Sequence, residues 1–208
     1  RAEWALRPPR SIRAAGARMN GRTIRLFPQS DGPRLGLMPV PALAKPGAYT
    51  LEFLDPAGAV LHSAPVTVRD ARFPSQNITV SKAVSELKPL PDEAKTVAAV
   101  RETVSDLRFW TEPFALPVPG CMTSPFGVRR LYNGKPGGNY HGGIDQRSPA
   151  GRPIRATADG TVKLIRMFNL HGGTVGIDHG QGLVSLYLHM SKFALQEGVS
   201  VKKGDVIG

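Results

Sequence analysis

Apolar and polar residues follow two rhythms along this chain. In Ala48-Tyr-Thr-Leu-Glu-Phe-Leu54, Tyr49, Leu51 and Phe53 alternate with Thr50 and Glu52. That period of two predicts a strand with one buried face. Thr23-Ile-Arg-Leu-Phe27 alternates in the same way until Pro28, Gly32 and Pro33 break it. Leu35-Gly-Leu-Met-Pro-Val40 is a short apolar run, and Pro46-Gly47 and Asp55-Pro-Ala-Gly58 are turn signals. Val60-Leu-His-Ser63 and Val66-Thr-Val68 predict a returning strand on either side of Pro65. Short strands between turn signals predict a small β-sandwich-like domain over residues 23–80.

The rhythm changes in residues 81–116, which read as a connector containing a helix. Pro91 suits the first helical position, and Asp92 and Glu93 suit the positive end of the helix dipole. Val97, Val100, Val104 and Leu107 recur at helical spacing and predict one packing stripe, ended by Phe109-Trp110 and Pro113. From residue 117 to 208 the period of two returns. Strand candidates cover residues 153–158, 160–168, 173–178 and 182–188, and Asp178-His-Gly-Gln-Gly182 predicts a hairpin turn. The fold class is therefore mainly β: an amino-terminal β-sandwich-like domain, a connector helix and a carboxy-terminal antiparallel β domain.

Composition adds a charge bias. Lys and Arg number 27 against 16 Asp and Glu, a formal charge of +11. Residues 1–22 carry Arg1, Arg7, Arg10, Arg13, Arg18 and Arg22 around Pro8-Pro9 and read as a basic extended arm. The excess favours a polyanionic partner without choosing among nucleic acid, anionic lipid and anionic cell wall. No nucleic-acid-binding motif accompanies it, so a nucleic-acid partner is not expected. No apolar run approaches the roughly 18 residues of a membrane span. Cys121 is the single cysteine, which excludes an internal disulfide, and it reads as a small buried hydrophobe.

Candidate chemistry gathers in residues 124–145. His141-Gly-Gly-Ile-Asp145 sets an imidazole four positions before a carboxylate, and both are good ligands for divalent zinc. The intervening glycines remove bulk and let the backbone bend toward one ion. This spacing alone recurs by chance. A further histidine, His189, follows a strand-like run in Leu186-Tyr-Leu-His-Met-Ser-Lys192. His62 lies in a strand without a second ligand nearby and reads as structural. His171 reads as a loop residue, and His179 as a turn residue.

Together these motifs resemble the lysostaphin-type (LytM-like) zinc metallopeptidases, which cut peptide cross-links in bacterial cell walls. The matching stretches are Ser124-Pro-Phe-Gly-Val-Arg129, His141-Gly-Gly-Ile-Asp145, Pro153-Ile-Arg-Ala-Thr-Ala-Asp-Gly160, Gly173-Thr-Val-Gly-Ile-Asp-His-Gly180, Tyr187-Leu-His-Met-Ser191 and Gly204-Asp-Val-Ile-Gly208. Several motifs in one order are more specific than any single match. The resemblance implies a zinc-dependent endopeptidase domain over residues 117–208, acting on peptidoglycan peptides in the bacterial envelope, periplasmic or secreted. It implies His141 and Asp145 as zinc ligands and His189 as a catalytic histidine outside the metal shell. The third ligand is expected in a His-x-His pair that follows the Gly204–Gly208 motif in the family and is absent from these residues. Arg129, Arg130 and Tyr132, read as part of a loop with Asn133-Gly134, are candidates for holding a substrate carboxylate. The loop sequence leans toward D-alanyl cross-bridges as the bond cut. The alternative is a non-catalytic module of the same fold that binds wall or activates another hydrolase.

Overall fold

A computed structural model describes residues 2–9, 11–30 and 32–208, the side chains of residues 2–4 and 138–139 excepted. Strands dominate. In chain order they are β1 (Ala2–Leu6), β2 (Gly16–Met19), β3 (Arg22–Arg25), β4 (Phe27–Gln29), β5 (Gly32–Val40), β6 (Gly47–Leu54), β7 (Val60–Val68) and β8 (Ser75–Ile78). Helices α1 (Lys82–Ser85) and α2 (Glu93–Arg101) follow. Then come β9 (Cys121–Ser124), β10 (Arg129–Tyr132), β11 (Lys135–Tyr140), β12 (Asp145–Arg147), β13 (Gly160–Met167), β14 (Gly173–Gly180), β15 (Leu183–Met190) and β16 (Ser200–Val201).

Contacts divide the described residues into two units. The first holds residues up to Ile78 together with Ser124–Ile144; the second holds Thr79–Thr123 and Asp145–Gly208. The expected division at residue 117 does not coincide with this, because β10 pairs in parallel with β8 and so joins residues 124–144 to the first unit.

In the first unit, the sheets run β3-β2-β6-β7, β1-β5-β4 and β11-β10-β8. The alternation in β6 has the expected result: Leu51 and Phe53 are buried, and Tyr49 packs against the same core with Ala17, Leu26 and Met38. Burying a side chain of the Leu51 or Phe53 type contributes about 1.5–3 kcal/mol. Pro65 sits inside β7 opposite Thr50. It is tolerated there because β7 is an edge strand and proline has no N–H to give a further neighbour. The segment expected as an extended arm instead contains β1, paired with β5, and β2, paired with β3 and β6. Its arginines alternate with small and apolar residues such as Ala14, Ala17 and Met19, which enter the core. Arg1 and Arg10 lie outside the described residues.

The second unit is built on the sheet β15-β14-β13-β16. The hairpin turn expected over residues 178–182 is narrower: β14 runs to Gly180, and Gln181 and Gly182 alone form the loop to β15, both at positive φ (56° and 84°). Val162, Val175, Ile177, Tyr187 and Ile207 form the core of this unit. Residues 153–158 do not form a named strand. Their bonds go to the 204–208 segment, including Ile154 N–H to the Gly208 carbonyl and Ala156 N–H to the Asp205 carbonyl, with one isolated bridge between Arg155 and Val206. Helix α2 is shorter than its stripe. Val97 and Val100 pack with Leu164 and Phe168, but the helix ends at Arg101 and leaves Val104 49% and Leu107 69% exposed. Cys121 is exposed on β9, not buried.

Candidate active site

His141 follows β11 in the first unit, and the Ser124-Pro-Phe-Gly-Val128 turn wraps around it. His141 N–H donates to the Val128 carbonyl at 2.8 Å, and Gly127 N–H donates to the His141 carbonyl at 2.8 Å. The ring's Nδ1 lies 3.1 Å from the Pro125 carbonyl and 3.2 Å from Ser124 Oγ. A carbonyl only accepts, so Nδ1 carries the proton and the lone pair of the neutral ring lies on Nε2. Ser124 is buried and also bonds Gln76 Oε1 at 2.9 Å. Gly127 has φ +87°, and a Cβ there would stand 2.2 Å from the Phe73 ring. Only glycine fits this turn, because any other residue would be strained in its backbone and would collide with Phe73.

Arg129, Arg130 and Tyr132 lie on β10, a strand of a hairpin and not a loop. Asn133 and Gly134 make its two-residue turn, since Tyr132 pairs with Lys135. The Asn77 carboxamide caps that turn by accepting from Gly134 N–H at 2.9 Å. Pairing on both sides, with β8 and β11, converts the expected loop into sheet. Arg130 reaches back to Ser124 Oγ at 3.4 Å, beside the His141 ring. Arg129 and Tyr132 are exposed, and the Tyr132 ring covers Gly137.

Asp145 and His189 belong to the second unit. Asp145 opens β12 with an exposed side chain, and its carbonyl accepts from Thr123 Oγ1 at 3.2 Å. His189 sits in β15 at a bulge: Gly173 pairs with Met190 and Val175 with Tyr187, so β15 carries one residue more than β14 in that interval. His189 itself has φ +58°. A left-handed conformation in a non-glycine residue costs on the order of 1–3 kcal/mol and is found where a site needs a side chain aimed away from the regular pleat. The His189 N–H donates to the His171 carbonyl at 2.9 Å. The ring is exposed and its nitrogens have no hydrogen-bond partner among the described residues.

Two further histidines lie in the second unit. His171 lies in the β13–β14 turn as expected, but its Nδ1 donates at 2.6 Å to the fully buried Glu93 carboxylate. Burial pushes the Glu93 carboxyl up. The bonds from His171 Nδ1 and from the Leu90, His171 and Leu170 amides outweigh it, and its pKa falls from 4.5 to about 2. His179 is a fully buried residue of β14, not a turn residue. Its Nδ1–H donates to the Asp159 carbonyl at 2.7 Å, so Nε2 accepts from the Ser185 hydroxyl at 2.8 Å. Ser185 Oγ also lies 3.1 Å from the Tyr187 hydroxyl, whose oxygen accepts from Thr157 N–H at 2.8 Å. Burial lowers the His179 pKa, against the Asp159 carbonyl bond and the nearby Asp178 and Asp159 charges that raise it. His179 is thus a neutral core residue. Glu93 and His171 carried no motif, and only their packing reveals them.

Within neither unit do three or more described His, Cys, Asp or Glu side chains gather to hold a metal. The donor set nonetheless fits zinc in kind: one imidazole of fixed tautomer on His141 and one exposed carboxylate on Asp145.

Residues 139–208 match the family model for Peptidase family M23. The DD-carboxypeptidase/endopeptidase Mpg of Neisseria meningitidis is 39% identical over 90 residues, which are 42% of this chain and 20% of that protein. The peptidoglycan DD-endopeptidase ShyA of Vibrio cholerae is 34% identical over 87 residues, again 42% of this chain and 20% of the relative. The chain thus spans about a fifth of the length of these curated relatives. A solved Pseudomonas aeruginosa structure assigned to peptidase M23 aligns with a TM-score of 0.68 and 26% identity, covering 99% of this chain and 79% of that one.

Proposed function

We propose that this chain, whose residues 139–208 match the family model for Peptidase family M23, is part of a zinc-dependent endopeptidase that hydrolyses peptide cross-links of bacterial peptidoglycan. D-alanyl cross-bridges are the assigned bond, since relatives similar to this chain are DD-endopeptidases. The assigned location is the cell envelope, periplasmic or secreted, and no helix of the described residues is long and apolar enough to cross a membrane.

The observation that carries the reading is the orientation of His141. Its Nδ1–H is committed to the Pro125 carbonyl, which fixes ring and tautomer as zinc-ligating imidazoles require. By the resemblance, His141 and Asp145 would be two of the zinc ligands, and the remaining one of the usual three protein ligands is assigned to the His-x-His pair that it also implies. A zinc ion bound there would supply polarisation of the scissile carbonyl and a water nucleophilic at neutral pH. His189, aimed out of its strand by the bulge, moves a proton or donates a hydrogen bond to the oxygen that becomes negative as the amide is attacked. Arg130 stands beside the His141 turn and, with Arg129 and Tyr132, is assigned to holding a carboxylate of the peptide. Residues from 117 onward are proposed as the part that carries the chemistry.

Metal analysis and muropeptide digestion test this. The natural full-length protein should bind one zinc per chain and cleave D-alanyl cross-linked dimers, and His141→Ala and Asp145→Ala should lose both properties. Undiminished zinc in both variants would sink the ligand assignment. A zinc-loaded protein that binds muropeptides without cleaving them would favour the wall-binding alternative.

A further inference from the structure

Glu93 opens helix α2 with its side chain fully buried. Its Oε2 accepts from Leu90 N–H at 3.0 Å and Asn169 N–H at 3.2 Å. Its Oε1 accepts from Leu170 N–H at 2.9 Å, His171 N–H at 2.9 Å and His171 Nδ1 at 2.6 Å. Capping a helix start accounts for the bond to Leu90 alone, three residues before the glutamate. The other donors belong to the turn joining β13 to β14, and three of them are consecutive amides. The turn is therefore folded around this carboxylate.

That turn is what His189 leans on. The His171 carbonyl accepts the His189 N–H at 2.9 Å. A Cβ on the next residue, Gly172, would stand 3.1 Å from His189 Cα and 3.4 Å from its Nδ1. The left-handed backbone of His189 is held on this side by a turn whose shape Glu93 sets.

We propose that Glu93, acting through His171, is a positioning residue that fixes the backbone of His189 and thereby aims its imidazole. The proposal rests on the reading of His189 as the catalytic histidine. It assigns the helix of the connector a part in turnover, since α2 delivers the buried carboxylate to the turn. Glu93 itself touches neither substrate nor metal in this account.

Glu93→Gln in the natural full-length protein is the principal test. It preserves size but turns one acceptor oxygen into an NH2 group facing N–H donors. The kcat is expected to fall by on the order of 10- to 100-fold, as for a misplaced catalytic group, with KM and zinc content unchanged. In metal-free protein the His189 amide should exchange with solvent about tenfold faster or more, because its acceptor carbonyl is no longer held. In a His189→Ala background the same substitution should have no further effect on kcat. His171→Ala removes only the Nδ1 bond, leaves the four backbone donors on Glu93, and should give a smaller loss of the same kind. It carries the test if Glu93→Gln does not fold. Unchanged kcat and His189 amide exchange would overturn the proposal, as would an equal loss of kcat with and without His189. Full activity of His189→Ala alone would instead overturn the catalytic assignment, and the amide measurement would still decide whether Glu93 sets that backbone.

Discussion

His141 in the first unit and His189 in the second are held by opposite means. At His141 the ring is pinned: Pro125 and Ser124 oxygens both meet Nδ1. At His189 the backbone is pinned, in a left-handed bulge, while the ring is exposed. The difference matches the work assigned to each. A metal ligand needs one tautomer and one direction, which a hydrogen bond to its far nitrogen supplies. A group that moves protons must change protonation state during turnover, so a clamp on its ring nitrogens would oppose it. Fixing its Cα instead places the imidazole and leaves both nitrogens available.

The largest expected effect comes from removing the ring that is not clamped. His189→Ala should lower kcat by on the order of 10²–10⁴-fold, the range for a general acid or base, while zinc content stays at the wild-type level. Loss of zinc together with activity would show that His189 is a ligand and would erase the contrast. Gly172→Ala probes the backbone hold directly. The added methyl group meets His189 Cα at 3.1 Å, on a residue with φ +61°. Turnover should fall by about tenfold or more through displacement of His189, with zinc retained. Wild-type kcat in a folded Gly172→Ala protein would show that the bulge does not aim the ring.

Gly127→Ala strikes the other side of the comparison. Its Cβ would overlap the Phe73 ring at φ +87°, so a loss of about 1–3 kcal/mol in stability is expected, together with weaker zinc binding. Chemical denaturation and zinc titration measure the two separately. Unaltered zinc affinity in this variant would detach the turn from the metal site.

His179 provides a third setting, a histidine that is neither ligand nor proton mover. Its pKa is lowered by burial, so the unfolded chain takes up a proton before the folded one does. Stabilisation by the neutral ring is complete above about pH 6.5 and is lost as the pH falls toward the lowered folded value. Thermal melts should show that decline, and His179→Gln should flatten it. Glu93, lowered to about 2 from 4.5, contributes in a separate window. Its stabilisation is present above about pH 4.5 and disappears between there and about pH 2. A Tm that does not change between about pH 7 and 5 would contradict a buried neutral His179. The smallest effect is reserved for Ser124→Ala. The Pro125 carbonyl still holds Nδ1, so zinc affinity should drop by about tenfold or less. A larger drop would make Ser124 the main hold on the ring.

Much of this was legible in the sequence. The alternation in Tyr49, Leu51 and Phe53 gave a strand because a period of two permits only one buried face. The turn between β14 and β15 was legible because Asp178-His-Gly-Gln-Gly182 concentrates turn-forming residues, though β14 takes the first three of them and leaves Gln181 and Gly182 as the loop. His141, Asp145 and His189 were visible as candidates because their flanking residues form recognisable motifs. The helix stripe was over-extended, since Val104 and Leu107 satisfy the spacing but have no core to meet.

The sequence by itself determined the mainly β character, the connector helix and the resemblance of the carboxy-terminal segment to a metallopeptidase family, all of which depend on local order along the chain. Tertiary structure alone decided the rest. Residues 2–6 became a strand because β5, distant in sequence, pairs with them, and residues 16–19 because β6 does so beside the adjacent β3. Arg129–Tyr132 became sheet because β8, some fifty residues earlier, lies alongside. His179 proved to be core because Phe114, Asp159 and Ser185 close around it. Glu93 and His171 are 78 positions apart, and no local pattern encodes a buried carboxylate gathering donors from a distant turn. Such a partnership exists only once the chain has folded, because the hydrogen bonds that define it are satisfied by spatial neighbours and not by sequence neighbours.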